Sequence, residues 1–399
     1  MAAHEVNRMP KEPHFMDPST IFGQTLHNGQ PAHLFISPHQ YVQGHGVLDR
    51  LGEYLAISLS GSVGVLITPG RKKNLGERIS KSLTSAGFRV SETVFQGEST
   101  VEEVRRAAEF FRTCETPIQA VIGVGGGKCL DAARMAALQL GISTVCIPTT
   151  ASTDAPTAAH SVLYDEHGVF QSVEFSPVSP LLVLADVDVL AAAPERYLVA
   201  GMGDAFSTYF EARCCMENPQ GRTARGARPT RAALAIARQC NDVLLECGAA
   251  ALEELRSKQI GPALHQIIEA NILLSGLGFE SGGLAGAHAV AQGLTVINEL
   301  HEKFLHGELV AIGIMAQLIL EQRMDEADTA IRFMKSVGLP LHLGQLGFDP
   351  HQRDAELDLI VKHALDVFFI RNEPFEVTKE NLKAALLKAY DFGRRYRPV

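Results

Sequence analysis

Between residues 30 and 190 the chain alternates short β-branched runs with longer amphipathic segments, and no other feature limits its fold as strongly. The runs VGVLIT (63–68), RVSETVF (89–95), AVIGV (120–124) and STVCIP (143–148) are separated by LGERISKSLTSAG (75–87), VEEVRRAAEFFRTC (101–114) and DAARMAALQLG (131–141). Strands separated by segments of helical period pair in parallel through crossover helices, so this pattern predicts βαβ units and a sheet covered on both faces. SVLYDEHGVFQSVEF (161–175) reads as a hairpin turning at His167 and Gly168, and LLVLADVDVL (181–190) as a last strand. After Pro194 the β-branched runs almost vanish, and Ala, Leu, Glu and Gly fill segments of helical period such as MGDAFSTYFEARCCM and ALHQIIEANILLSGLGFE. The expectation is a loose N-terminal arm over 1–30, an α/β domain over 31–194 and a helical domain over 195–399.

Composition removes several function classes. With 36 Lys and Arg against 45 Asp and Glu the formal charge is −9, and no basic cluster offers an electrostatic footprint for nucleic acid or an anionic membrane. Seven cysteines, odd in number and without a C-x-x-C pair, fit a reduced, cytoplasmic setting rather than a disulfide scaffold. The N-terminus has no apolar run behind a basic start, so a signal peptide is not expected. LVAIGIMAQLIL (309–320) is too short to span a bilayer and predicts a buried helix.

AVIGVGGGKCLDAAR (120–134) carries an apolar strand into Gly123, Gly125, Gly126 and Gly127 and then into a helix. Glycines there let backbone N–H groups approach a ligand, and the helix N-terminus favours an anion such as a pyrophosphate. A Walker A loop is excluded by Ile122 and Cys129, and the Rossmann G-x-G-x-x-G by Lys128. The bland alternative is a tight turn without a ligand. A second loop, PTTASTDAPTAAHSV (148–162), shares the same sheet edge, and Asp154 is its one carboxylate.

LHEKFLHGELVAIG (300–313) nearly spells the zinc-peptidase H-E-x-x-H, but His301 and His306 are five residues apart rather than four. Three other positions suit a metal: His288 among small residues in ESGGLAGAHAVAQGLT, His306, and Asp204 where a helix starts in LVAGMGDAFSTYFEAR. Each has a structural alternative, a core histidine or a helix N-terminal carboxylate.

Five blocks, GVGGGKCLDAAR, PTTASTDAPTAAHSVLYDE, AGMGDAFSTYFEAR, GGLAGAHAVAQGLT and FLHGELVAIG, occur in the order found in the iron-containing alcohol dehydrogenase superfamily, and the chain resembles its glycerol dehydrogenase group. The resemblance implies an N-terminal nucleotide-binding α/β domain with a parallel sheet, an all-α C-terminal domain, and an active site in the cleft between them, the fold shared with dehydroquinate synthase. By that likeness Asp204, His288 and His306 are metal ligands. Gly125, Gly126, Gly127, Lys128 and Asp131 line the pyrophosphate site, and Thr149, Ser152, Val162 and Tyr164 touch the cofactor. Asp154 faces the substrate and joins His288 as a catalytic residue. Iron-binding members carry a histidine four residues after the aspartate, and Thr208 stands there, so Zn2+ is expected over iron. The activity implied is NAD(P)-linked interconversion of a small polyol or secondary alcohol and its ketone, in a homo-oligomer.

Two departures from the group bear on specificity. The acid that pairs with the adenosine ribose in NAD-preferring members corresponds to Thr68, followed by Gly70, Arg71, Lys72 and Lys73, which leaves NAD and NADP both open. The segment H-A-x-H-N-G reads HAVAQG, with Ala291 and Gln292, which keeps a hydroxy acid, diol or amino alcohol in view beside glycerol. The rival readings are a hydroxycarboxylate (2-oxo acid) reductase of the same family, a lyase resembling dehydroquinate synthase, and a binding module without turnover.

Overall fold

The computed structural model describes residues 17–27 and 29–396, so most of the N-terminal arm, 1–16, lies outside the described residues. Within the arm Pro18–Phe22 forms a short helix capped by the Asp17 carboxylate, and just past the arm the Ala32 carbonyl accepts from Arg228 N–H at 2.8 Å. Strands β1 (Gln40–Gly44), β2 (Ser62–Ile67), β3 (Arg89–Val94), β4 (Ile118–Gly125), β5 (Ser143–Pro148) and β8 (Leu182–Asp186) make one six-stranded parallel sheet in the order β1-β8-β5-β4-β2-β3. β6 (His160–Tyr164) and β7 (Phe170–Phe175) form the antiparallel hairpin.

The central strands are buried along almost their whole length, as near-continuous apolar runs require when helices cover both faces. Ile67, Ile122 and Ile147 pack on one face, and Leu66, Val121 and Phe111 on the other. From β2 the chain passes outward to β3, then crosses back so that β4 lies on the other side of β2. That reversal is a topological switch point, where ligands of open α/β sheets bind beyond the strand ends. The residues leaving β2 and β4 there are Thr68 and the glycine turn, with Thr68 N–H donating to the Val124 carbonyl at 3.1 Å.

Two expected elements change. The 181–190 strand stops at Asp186, whose carboxylate caps the short helix Val187–Ala191 by accepting from the N–H groups of Asp188 and Val189. The segment 263–280 is not one regular helix: a π turn at Ala270–Leu274 separates Pro262–Glu269 from Ser275–Gly282. The turn aims Asn271 at the Ala151 and Leu198 carbonyls, at 2.9 and 3.1 Å. β1, which has no β-branched run to announce it, adds a strand beside β8.

From Val187 to the last described residue no strand occurs. His306–Leu320 is buried nearly all round, as its unbroken apolar sequence predicts, and the other helices wrap it. Its backbone approaches two neighbours more closely than a side chain would permit. A Cβ on Gly307 would stand 1.7 Å from the Ala200 carbonyl oxygen of the helix Glu195–Glu217, and one on Gly313 would stand 2.0 Å from the Ala287 carbonyl oxygen of Gly286–Leu294. Gly203 faces the first crossing, where its Cβ would meet the Gly307 carbonyl at 2.3 Å.

Because each contact is with rigid backbone, Gly307→Ala and Gly313→Ala should each destabilise the fold by about 1–3 kcal/mol or more. Lower midpoints in urea or thermal unfolding are expected; unchanged midpoints would show that the crossings relax freely.

Candidate active site

The two crossings set the positions of three donor groups. Asp204 follows Gly203, His306 precedes Gly307, and His288 follows Ala287, so each donor leaves its helix beside a point of closest approach. His288 Nε2 lies 3.3 Å and His306 Nε2 3.4 Å from the same oxygen, Asp204 Oδ1. The two imidazoles stand 5.3 Å apart between ring centres. The Asp204 side chain is 2 % exposed, His288 12 % and His306 47 %, so the triad opens to solvent on the His306 side.

Asp204 Oδ1 is buried yet accepts no hydrogen bond among the described residues, a costly state for a carboxylate oxygen. A tetrahedral ion with bonds of about 2.0–2.2 Å separates its ligand atoms by about 3.3–3.6 Å, which matches the two spacings above. One carboxylate and two imidazoles form the donor set of a catalytic site with an open position, so the residues present fit a divalent transition ion.

Glu211 completes this arrangement and was missed from sequence. Its Oε2 accepts from His288 Nδ1 at 2.6 Å, which fixes the ring orientation and leaves Nε2 directed at Asp204. It stands seven residues after Asp204, two turns along the same helix face, a spacing that could have singled it out. Burial opposes the imidazolium form of His288, but Glu211 and Asp204 on either side overcome it and raise the ring well above its ordinary value. Burial alone would raise Asp204; the His306 and His288 rings instead hold it well below the usual carboxylate range. Burial and the Asp204 charge push Asp154 well above that range.

Asp154 sits beside the triad. Its N–H approaches Asp204 Oδ2 at 3.4 Å, and its Oδ2 accepts from the Ser275 hydroxyl at 2.6 Å. Thr208, one turn beyond Asp204, is buried with its hydroxyl 2.9 Å from Ser275 Oγ. The loop that carries Asp154 follows β5 and starts beside the glycine turn, where Thr149 N–H donates to the Gly125 carbonyl at 3.0 Å, so one short segment links that turn to the triad.

Gly126 heads the helix Gly127–Leu140 without a side-chain cap, which leaves the first N–H groups facing outward. A Cβ on Gly126 or Gly127 would stand 3.8 Å from Thr150 Oγ1 or Thr153 Oγ1, so the hydroxyl-rich loop flanks the turn. Ser152 Oγ lies 3.1 Å from Thr150 Oγ1. Thr68 borders the turn from β2, where its methyl would be 2.8 Å from a Cβ on Gly125. Lys128 is half exposed, paired with Glu98 at 2.5 Å and set 4.9 Å over the Tyr164 ring. Asp131 is buried, with Oδ1 held by Arg134 at 2.7 Å and Oδ2 accepting from Val162 N–H at 3.2 Å. Its carboxylate thus ties the helix to the hairpin, with its oxygens engaged by protein groups. His301, set apart from the triad, reaches the hairpin turn instead, its Nε2 2.9 Å from the Gly168 carbonyl.

Residues 38–187 match the family model for iron-containing alcohol dehydrogenase. The chain is 42 % identical over 361 residues to a glycerol dehydrogenase of Thermotoga maritima, covering 90 % of this chain and 97 % of that one. It is 41 % identical over 368 residues to a glycolaldehyde reductase of Halobacterium salinarum, covering 91 % and 99 %. The crystal structure of a probable glycerol dehydrogenase from Sinorhizobium meliloti 1021 superposes with a TM-score of 0.84 at 38 % identity, covering 92 % of this chain and all of that one.

His288 must release its Nε2 proton to bind an ion, while Glu211 retains the proton on Nδ1. Since the free ring titrates above its ordinary 6.5, loading near pH 7 should release about one proton per ion, and affinity should fall as pH drops below the raised value. Calorimetric titration with zinc in buffers of different ionisation enthalpy reads this directly, and binding without proton release would refute it.

Proposed function

Because this chain belongs to the iron-containing alcohol dehydrogenase superfamily, in its glycerol dehydrogenase-like group, we propose that it interconverts a small vicinal polyol and its hydroxyketone at the Asp204, His288 and His306 site, with zinc as the metal and a nicotinamide coenzyme as the hydride carrier. The observation that carries this reading is the buried Asp204 Oδ1 without a hydrogen bond, flanked at metal-ligand spacing by two imidazole nitrogens. Thr208 in place of a fourth donor favours zinc over iron, because its hydroxyl is already engaged by Ser275. When bound, the ion would supply Lewis acidity to the substrate oxygen, and the coenzyme would donate or accept the hydride at its nicotinamide ring.

The protein's own contribution is orientation and charge. Asp204, held as a carboxylate, and His288, fixed by Glu211, define where the substrate oxygen rests. Asp154, one loop away, is the group that faces the substrate, its Oδ2 held by the Ser275 hydroxyl. The open N–H groups after Gly126 receive the pyrophosphate, with Thr149, Ser152, Val162 and Tyr164 around the rest of the coenzyme. We take 31–194 as the coenzyme-binding domain and 195–399 as the metal-binding one, the catalytic cleft lying between them. A reductase for glycolaldehyde or a 2-oxo acid is the second reading, supported by the Halobacterium relative and by Ala291 and Gln292 one turn from His288. None of the described helices is long and apolar enough to cross a membrane. A small-molecule partner and a homo-oligomer in the cytoplasm complete the proposal.

Coenzyme choice turns on the first turn after β2. Lys72 is paired with Glu92 at 2.8 Å, whereas Arg71 extends its Nη2 to 3.5 Å from the Thr149 carbonyl, beside the glycine turn. Arg71 is therefore the base best situated for a ribose 2′-phosphate, so both NADP(H) and NAD(H) are expected to serve.

Metal analysis with absorbance at 340 nm, using glycerol, 1,2-diols, glycolaldehyde and 2-oxo acids with both coenzymes, tests the function. Bound zinc and turnover of a diol or hydroxyaldehyde are expected, and a protein without metal or turnover would end the proposal. His306→Ala should lose metal and reduce kcat/KM by at least about a hundredfold, since one ligand of three is removed. Arg71→Ala should raise KM for NADPH and leave KM for NADH unchanged, and equal effects on both would discard Arg71 as the discriminator.

A further inference from the structure

The helix that carries His288, Gly286–Leu294, begins without a local cap. Its N-cap residue is Ala285, which has no side-chain acceptor. Such a start leaves several N–H groups without partners, and here they are buried. Tertiary contacts supply every acceptor. Ala285 and His288 N–H both donate to Glu211 Oε1, at 2.8 and 2.9 Å. Gly286 N–H donates to Glu373 Oε1 at 3.0 Å, and Ala287 N–H to Gln317 Oε1 at 2.8 Å. The acceptors come from three separate parts of the chain: the helix bearing Asp204, the helix bearing His306, and the segment after the 3-10 turn Phe368–Asn372. Glu211, Gln317 and Glu373 are each no more than 2 % exposed.

Two of these acceptors lie on helices that already hold a donor of the triad. Glu373 does not, but its backbone is held from the end of the Asp204-bearing helix. Asn218 Nδ2 donates to its carbonyl at 2.8 Å, and neighbouring Asn372 Nδ2 donates to the Leu284 carbonyl at 2.7 Å, so residues 372–373 grip the turn before the helix from both sides. A Cβ on Gly286 would meet Glu373 Oε1 at 2.7 Å, so a larger residue there would displace the carboxyl from its present position.

Cys214, Glu321 and Glu373 also bring three donor atoms together, which raises the alternative of a second cation site. The partners argue otherwise. Glu321 Oε2 is held by Arg213 and Arg323 at 2.9 and 2.8 Å, and its Oε1 accepts from Gln317 Nε2 at 2.7 Å. Both Glu321 oxygens are thus already engaged by protein groups, and Gln317, which donates to one of them, accepts in turn from the Ala287 N–H.

We propose that Glu373 is a positioning residue for the metal ligand His288, acting through the Gly286 N–H to set where the helix starts. The inference rests on the metal-site reading of Asp204, His288 and His306. It is the acceptor oxygen that matters and not the charge. The Gly286 N–H needs an acceptor oxygen at this point, which the carbonyl of a glutamine amide also supplies, and burial, reinforced by the Glu321 carboxylate, raises the Glu373 carboxyl and so disfavours its charged form.

The full-length protein with Glu373→Ala and with Glu373→Gln provides the test. Zinc affinity is measured by chelator competition, and ligand geometry by the visible absorption of the cobalt(II)-loaded protein. Glu373→Ala should weaken zinc binding about 10–100-fold and alter the cobalt bands, the range seen when partners of metal ligands are removed. Glu373→Gln should restore both. Wild-type affinity and spectrum in Glu373→Ala, or a Gln variant as impaired as the Ala variant, would overturn the inference while leaving the metal site standing. A wild-type protein that binds no zinc or cobalt would overturn the function proposal itself. If Glu373→Ala does not fold, Glu373→Asp, whose shorter side chain draws the acceptor back from the Gly286 N–H, takes its place with the same expected loss.

Discussion

The geometry of the proposed metal site depends on how closely three helix backbones approach one another. Side chains usually hold packed helices 8–10 Å apart, a distance at which short donors such as Asp cannot converge with two imidazoles. Gly203 and Gly307 remove that spacing at one crossing and Gly313 removes it at the other, and a donor sits next to each contact. The site is therefore a product of packing: the apolar surface of His306–Leu320 drives the burial, and missing Cβ atoms decide how near the partners come.

Close packing also concentrates charge. Asp204, Glu211 and Glu280 are buried near one another with Asp154 half-buried beside them, an arrangement that desolvation disfavours unless each has a partner. Glu211 has His288 and two N–H groups, and Glu280 has Arg225 and the Ala159 N–H. Asp204 Oδ1, by contrast, is buried and accepts no hydrogen bond among the described residues. That imbalance lies where a cation could relieve it. The second short link, from Gly125 through Thr149 to Asp154 and Asp204, carries backbone order from the sheet edge to this point.

Much of the architecture was legible because its physical causes are local. Strands destined for burial on both faces read as apolar runs, helices between them read as amphipathic segments, and the glycine turn after β4 follows from the same pattern. The strand ending at Asp186 and the π turn at Ala270 were not legible. A carboxylate cap and a bulge are decided by single hydrogen bonds, which leave no periodicity in the sequence. Of the site residues, Asp204, His288 and His306 stood out by residue type and small neighbours, and by resemblance. Glu211 and Glu373 did not, because a carboxylate that serves a backbone N–H resembles any other acid until its neighbour is known. Asp131 and Lys128 lie beside the glycine turn, but their engagement with Arg134 and Glu98 could not be read from the chain.

The sequence alone determined the class of fold and the inventory of chemistry: parallel strands with crossover helices, a helical second half, a glycine turn at a strand end, and one acid and two imidazoles set among small residues. Those properties depend on burial pattern and residue type, which each residue carries with it. The tertiary structure decided which donors meet. His306 lies 102 residues from Asp204 and five from His301, yet it is the distant pair that converges, because two glycines let their helices touch while His301 is drawn to the hairpin at Gly168. Separation along the chain says nothing about that choice; backbone contact distance makes it.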